Sequence, residues 1–184
     1  MKAYLDSGVF IDYLVGRGHT GAYLRSTERR GRKPAQLGKD AEACLKKLSS
    51  GHSAITSSLT CYEVEEALYR ELKRSATEID HADRFIIPAA RAVITQALVT
   101  IELFGIEMVD LTPAIVKAQC QNLELQTRGI RAADALHVTT AMLLGADILI
   151  TSDEDLLHLD NIFTNRAGTV LRCVETHTAI GLLI

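Results

Sequence analysis

The chain has 184 residues, of which 47% are hydrophobic and 23% charged, so it is an ordinary globular sequence and not a disordered or fibrous one. That length buries a core without disulfides or a structural metal and suits a single domain, 1–184, with one polar insertion at about 16–50. The net charge of −3 argues against coating nucleic acid by bulk positive charge, though it leaves room for a local phosphate grip.

Cys44, Cys61, Cys120 and Cys173 form no CxxC pair and read as apolar fillers in a reducing compartment. Asp6 and Asp12 interrupt any signal-peptide core, and no run of 18 apolar residues predicts a membrane span. A cytoplasmic protein is expected.

In chain order, Lys2–Asp6 is a short apolar run ending in an acid and predicts a first strand, followed by a helix over Val9–Val15. Gly16–Lys39 is rich in Gly and basic residues and reads as a loop. Ala41–Leu48 has helical spacing, Ser53–Thr56 predicts a second strand, and Leu59–Leu72 a helix. Thr77–Phe104 is a long helical region that Pro88 must kink or split. Ile106–Val109 is a third strand. Thr112-Pro113 opens a helix that Gly129 ends. Arg131–Leu144 is a helix almost without a polar side, so it should be central. Asp147–Thr151 is a fourth strand and Thr169–Val174 a fifth. Short strands, apolar on both faces and alternating with helices, predict an α/β sandwich around a parallel sheet of four or five strands.

Ligands of such sheets sit beyond the carboxyl ends of the strands. Asp6 closes the first strand, Glu63 lies in the first turn after the second, Asp134 in the first turn of the central helix, and Asp153 after the fourth strand. Asp110, after the third, is a weaker fifth member. Each has a simpler reading in helix capping and helix-dipole compensation. Asp134 resists it most, because a charge in so apolar a helix is costly without a partner. Carboxylates converging on one pocket repel, and a divalent cation removes the repulsion. Oxygen ligands suit Mg²⁺ or Mn²⁺, and no His/Cys cluster offers zinc an alternative. One or two such ions can drive phosphodiester hydrolysis. Other chemistries lack their motifs: position 8 is Gly where an Asp-x-Asp phosphatase needs its second acid, and no GxxxxGK[ST], GxGxxG, GxSxG or HExxH is present. His137, one turn after Asp134, is open between orienting a carboxylate and a plain core role.

At these residues the sequence resembles the PIN-domain nucleases, and in particular VapC-type toxins of toxin–antitoxin pairs. YLDSGVFIDYL resembles the first motif, ITSSLTCYEVEEAL the second, and IRAADALHVTTAMLLGADILITSDEDLL the most diagnostic one. The resemblance implies a three-layer sandwich and an Mg²⁺- or Mn²⁺-dependent endoribonuclease leaving 5′-phosphate and 3′-hydroxyl ends. It carries Asp6, Glu63, Asp134 and Asp153 over as metal ligands, with Asp155 as a helper and Ser7, Thr151, Ser152 and His137 behind them. Glu65 and Glu66 neighbour Glu63, and only the motif register favours Glu63. Asp12 reads as structural. Gly8 departs from the Asn, Ser or Thr more usual in the family. An antitoxin protein and a homodimer are implied partners. The long Gly16–Ser50 stretch keeps a housekeeping RNA-processing nuclease as the alternative, and a non-catalytic scaffold is a further one. The basic cluster Arg25, Arg29, Arg30, Arg32 and Lys33 reads either as an RNA-phosphate grip or as a solvated loop, and Arg128 and Arg131 flank the Asp134 helix as further phosphate contacts.

Overall fold

A computed structural model describes residues 1–17, 28–76 and 79–184. Five strands form one all-parallel sheet: β1 (Lys2–Leu5), β2 (Ser53–Ser57), β3 (Glu107–Val109), β4 (Ile148–Ile150) and β5 (Arg172–Val174), in the spatial order β3-β2-β1-β4-β5. The order reverses at β1, so the first strand sits at the centre and its carboxyl end opens at the switch point, where parallel sheets hold their ligands.

Period-two alternation divides the sheet between two cores. Ala3, Leu5, Ala54, Ile148, Ile150 and Val174 face one core, which is completed by α1 (Ser7–Gly16), α2 (Pro34–Ser49), α3 (Leu59–Ser75), α4 (Asp83–Leu103) and α9 (Thr176–Leu182). Tyr4, Ile55, Leu149 and Cys173 face the other, with α6 (Leu123–Thr127), α7 (Ala132–Leu144) and α8 (Glu154–Leu157) supplying Leu125, Ala135, Val138, Ala141 and Leu156. This is the expected three-layer α/β sandwich.

Several boundaries differ from the sequence reading. The helix expected from Ala41 starts at Pro34, because proline at the first helical position costs no hydrogen bond. It buries Leu37, Ala41, Cys44, Leu45 and Leu48, so 34–49 is core and not loop. Its close approach to α1 depends on two glycines: a Cβ on Gly38 would lie 2.7 Å from the Gly16 Cα. Pro88 neither splits nor ends its helix, which begins at Asp83 with Pro88 inside it. The helix expected over 112–129 is two. Thr112 caps α5 (Pro113–Gln121), and the chain breaks at Asn122, whose side chain accepts from the Leu125 N–H and starts α6. Helix α9 was not anticipated. Among the described residues α4 is long and apolar enough to cross a bilayer by length and composition, at a mean hydropathy of 1.5; here it packs on α3 and buries Ile86, Ala90, Val93, Ala97 and Ile101.

Candidate metal centre

The site is built from the ends of β1 and β4 and the starts of α3 and α7. Asp6 leaves β1 in an extended conformation and N-caps α1, its Oδ1 accepting from the Ser7 N–H at 2.7 Å. Its other oxygen accepts from the Thr151 hydroxyl at 2.6 Å. Thr151 follows β4, and its Oγ1 also accepts from the Asp153 N–H at 3.0 Å. One threonine therefore ties the two central strand ends together and orients an almost fully buried carboxylate. Ser7 adds a weaker hydroxyl bond to Asp6 at 3.3 Å.

Glu63 lies in the second turn's approach of α3, half-buried, and reaches His137 on α7, with Nε2 2.7 Å from Glu63 Oε2 and 3.4 Å from Asp6 Oδ1. The imidazole is completely buried, and its Nδ1 lies 2.8 Å from the Tyr4 hydroxyl. One ligand atom each from Asp6, Glu63 and His137 lies within 4.8 Å of the others, a spacing a metal ion can bridge. Glu65 and Glu66 point elsewhere: Glu65 pairs with Arg91 at 3.3 Å and Glu66 with Arg70 at 3.4 Å. Of the three glutamates, Glu63 is the one whose carboxylate lies beside His137 and Asp6.

The charges confirm how close the acids are. Burial, then the charges of Asp153, Asp6 and Glu63, pushes the Asp134 carboxyl up to about 6. Burial would also raise Glu63, but the His137 hydrogen bond and charge outweigh it and hold that carboxyl below its usual value. Burial would lower His137, but the Asp6 charge and the Glu63 bond outweigh it and raise the imidazole. An acid raised first by burial and then by three neighbouring carboxylates marks a donor set short of positive charge. Oxygen donors of this kind fit a divalent cation.

Asp153 has two tasks. It N-caps α8, its Oδ1 accepting from the Asp155 and Leu156 N–H groups at 2.8 and 3.3 Å, while its charge is felt at Asp134. Asp155 is exposed and lines a hollow of about 280 Å³ with Arg128, Ile130, His158 and Leu159. Asp110 is exposed after β3. Ser152 explains Gly8, because a Cβ at position 8 would run into the Ser152 Oγ. A side chain at position 8 would need the Ser152 hydroxyl to move.

The described arginines of the cluster, Arg29, Arg30 and Arg32, are paired with acids. Arg29 forks onto the fully buried Asp12 at 2.6 and 3.3 Å. Arg30 bonds Glu154 at 3.2 Å and Glu175 at 2.6 Å, and Arg32 reaches Asp40 at 3.2 Å and Glu175 at 3.6 Å. The turn at 29–32 is thereby strapped across α1, α2, α8 and the end of β5. Arg25 lies outside the described residues. Arg128 pairs with Glu124 one turn back at 2.6 Å, and Arg131 is exposed at the N-cap of α7. Sequence reasoning missed Tyr4 and Glu175. Nothing local marks Tyr4, an aromatic in an apolar strand, whereas Glu175 was visible as an acid directly after the fifth predicted strand.

The comparisons with known proteins agree with this fold. No curated protein matches the chain. Among solved structures, a chain of the crystal structure of VapBC2 from Rickettsia felis, bound to a DNA fragment from their promoter, is similar in fold, with a TM-score of 0.51 at 13% identity over 94% of this chain and 98% of that one. The family model for the PIN domain matches residues 37–162, the span that holds Glu63, His137, Asp134 and Asp153. With that match over most of its length, and with the acids gathered at the switch point of a parallel sheet, this chain belongs to the PIN domain family.

Proposed function

We propose that the chain is a divalent-metal-dependent endoribonuclease and the toxin of a toxin–antitoxin pair. The observation that carries the reading is geometric: ligand atoms of Asp6 and Glu63 lie within 4.8 Å of each other beyond the carboxyl end of the central strand, and Asp134 is near enough that burial and then the charges of Asp153, Asp6 and Glu63 raise its carboxyl. Asp6, Glu63 and Asp134 would hold the main Mg²⁺ or Mn²⁺, with Asp153 and Asp155 assisting. When bound, the cation supplies positive charge to the phosphodiester and to the oxygen that leaves. Around it, Thr151 and Ser7 fix the Asp6 carboxylate by hydrogen bonds that need no rearrangement during reaction. Ser152 fills the space beside Asp6 that Gly8 leaves open. Arg131, exposed at the start of the Asp134 helix, and Arg128 are the basic groups we assign to the RNA backbone.

The similarity in fold to a VapBC2 chain supports an antitoxin partner. The apolar residues that α4 exposes, Phe85, Val99 and Leu103 among them, supply a face for a homodimer or that antitoxin. A cytoplasmic location would suit an RNA substrate, and the four free cysteines support a reducing compartment.

The test is cleavage of a mixed cellular RNA pool with Mn²⁺, Mg²⁺ or EDTA, for wild type and for Asp6→Asn. Cleavage that needs metal and is lost in the folded variant supports the assignment. Wild-type cleavage rates in Asp6→Asn, or cleavage in EDTA, would overturn it.

A further inference from the structure

Strand β1 and helix α7 each bring two polar residues to the same place. On β1, Tyr4 and Asp6 are two apart and share a face. On α7, Asp134 and His137 are three apart and share a face. The sheet and helix pack so that Tyr4 meets His137, ring to ring at 5.7 Å in an edge-on arrangement, with the hydroxyl 2.8 Å from Nδ1. Both side chains are completely buried.

Burying a hydroxyl and an imidazole is costly unless their hydrogen bonds are made, and an apolar pair would fill the same core position without that cost. Here every polar atom of the pair is used in one direction. Nε2 faces Glu63 Oε2 at 2.7 Å and Asp6 Oδ1 at 3.4 Å. A bare nitrogen lone pair would repel both oxygens, so Nε2 carries the hydrogen and donates to Glu63. In the neutral ring Nδ1 accepts from the Tyr4 hydroxyl, and in the charged ring, which the neighbouring carboxylates favour, Nδ1 donates to it, so the Tyr4 contact is kept in both forms. A chain of bonds thus runs from Tyr4 on the central strand through His137 to Glu63, and Asp6 Oδ1 lies 3.4 Å from the same nitrogen.

We propose that Tyr4 and His137 are positioning residues for the cation site: the tyrosine locks the imidazole, and the imidazole N–H sets the spacing of Glu63 and Asp6. The inference rests on the metal reading above. His137 is not a ligand in it, because its facing nitrogen is committed to a carboxylate. Metal sites elsewhere lose about 10–100-fold in affinity when such outer partners are removed.

The experiment is a Mn²⁺ titration followed by electron paramagnetic resonance, on wild type, Tyr4→Phe, His137→Gln, His137→Leu and the Tyr4→Phe/His137→Leu double variant. Tyr4→Phe deletes one oxygen and keeps the ring packing, so it carries the test even if the His137 variants fail to fold. The expected results are Mn²⁺ binding weakened several-fold by Tyr4→Phe and about 10–100-fold by His137→Leu. Gln, which keeps an N–H near the Nε2 position, should recover part of the loss. The double variant should bind no more weakly than His137→Leu, since the tyrosine acts only through the histidine. Tyr4→Phe binding Mn²⁺ within twofold of wild type would overturn the proposal and leave the metal reading standing. A ¹⁴N coupling to bound Mn²⁺ would overturn it differently, by making His137 a ligand. Wild type that binds no Mn²⁺ would remove the metal reading and this inference together.

Discussion

Asp134→Asn should make the metal-free protein more stable while destroying its response to metal. In the native protein the Asp134 carboxyl is raised from 3.8 to about 6 by burial and by the charges of Asp153, Asp6 and Glu63. An acid whose native pKa is raised contributes stability that is complete below the unfolded value and is lost as pH rises through the native one. The contribution therefore fades between about pH 4 and pH 6 and is absent above. A shift from 3.8 to about 6 corresponds to at most about 3 kcal/mol. Solvent reaches this half-buried group, and screening reduces the figure to about 1 kcal/mol. Asparagine never takes the charge, so in EDTA at pH 8 the variant should melt about 2–4 °C above wild type, with the gap closing by about pH 4. Saturating Mn²⁺, at about 100 times Kd, should raise wild type by about 2.7 kcal/mol, or about 5–10 °C, and the variant little. The two curves should therefore cross as Mn²⁺ is added. The assay is thermal unfolding followed by circular dichroism over pH 4–8, with and without Mn²⁺. A variant that melts below wild type in EDTA at pH 8, or that gains as much from Mn²⁺, would refute the reasoning that like charges crowd Asp134.

Gly38→Ala should destabilise by about 1–3 kcal/mol, read from urea unfolding, because the new methyl meets the Gly16 backbone 2.7 Å away and no rotamer relieves it. Gly8→Ala should destabilise by less, up to about 1 kcal/mol, because the Ser152 hydroxyl it meets can turn aside whereas backbone cannot. Adding Ser152→Gly should restore most of that loss, and failure of the pair to do better than Gly8→Ala alone would place the conflict elsewhere. Glu175→Gln removes the carboxylate that Arg30, Arg32 and His177 share. It should cost up to about 1 kcal/mol and speed tryptic cleavage at Arg30, measured by limited proteolysis; unchanged cleavage would mean that Arg29 on Asp12 holds the turn alone.

The sequence carried the layered architecture because its evidence was local. Short runs such as AYL and ILI, bounded by acids and alternating with amphipathic stretches, specify buried parallel strands wherever they pair. The acids at Asp6, Glu63, Asp134 and Asp153 were legible for the same reason: each directly follows a strand or opens a helix, and the topology of parallel sheets gathers such positions at one end. Helix breaks were less legible. Asn122 ends one helix and caps the next, a function of one side chain that a periodicity scan reads straight through. Pro34 was read as loop because the residues around it are polar, although the face that matters, Leu37, Ala41, Cys44 and Leu48, repeats at helical spacing beyond it.

The arginines mark the limit most clearly. From composition, Arg29, Arg30 and Arg32 are a basic patch, but their charge is matched by Asp12, Asp40, Glu154 and Glu175, which belong to other elements, from 8 to 145 positions away. His137 is a similar case. Its spacing from Asp134 left it open between orienting that carboxylate and a core role, and the fold turns its nitrogens to Glu63, Asp6 and Tyr4 from other elements. By itself the sequence determined which residues bear charge and which periodicity each segment has, because both are properties of neighbours along the chain. Only the tertiary structure decided which charges meet and which become buried, because pairing energies depend on distance and desolvation across residues that the chain order keeps apart.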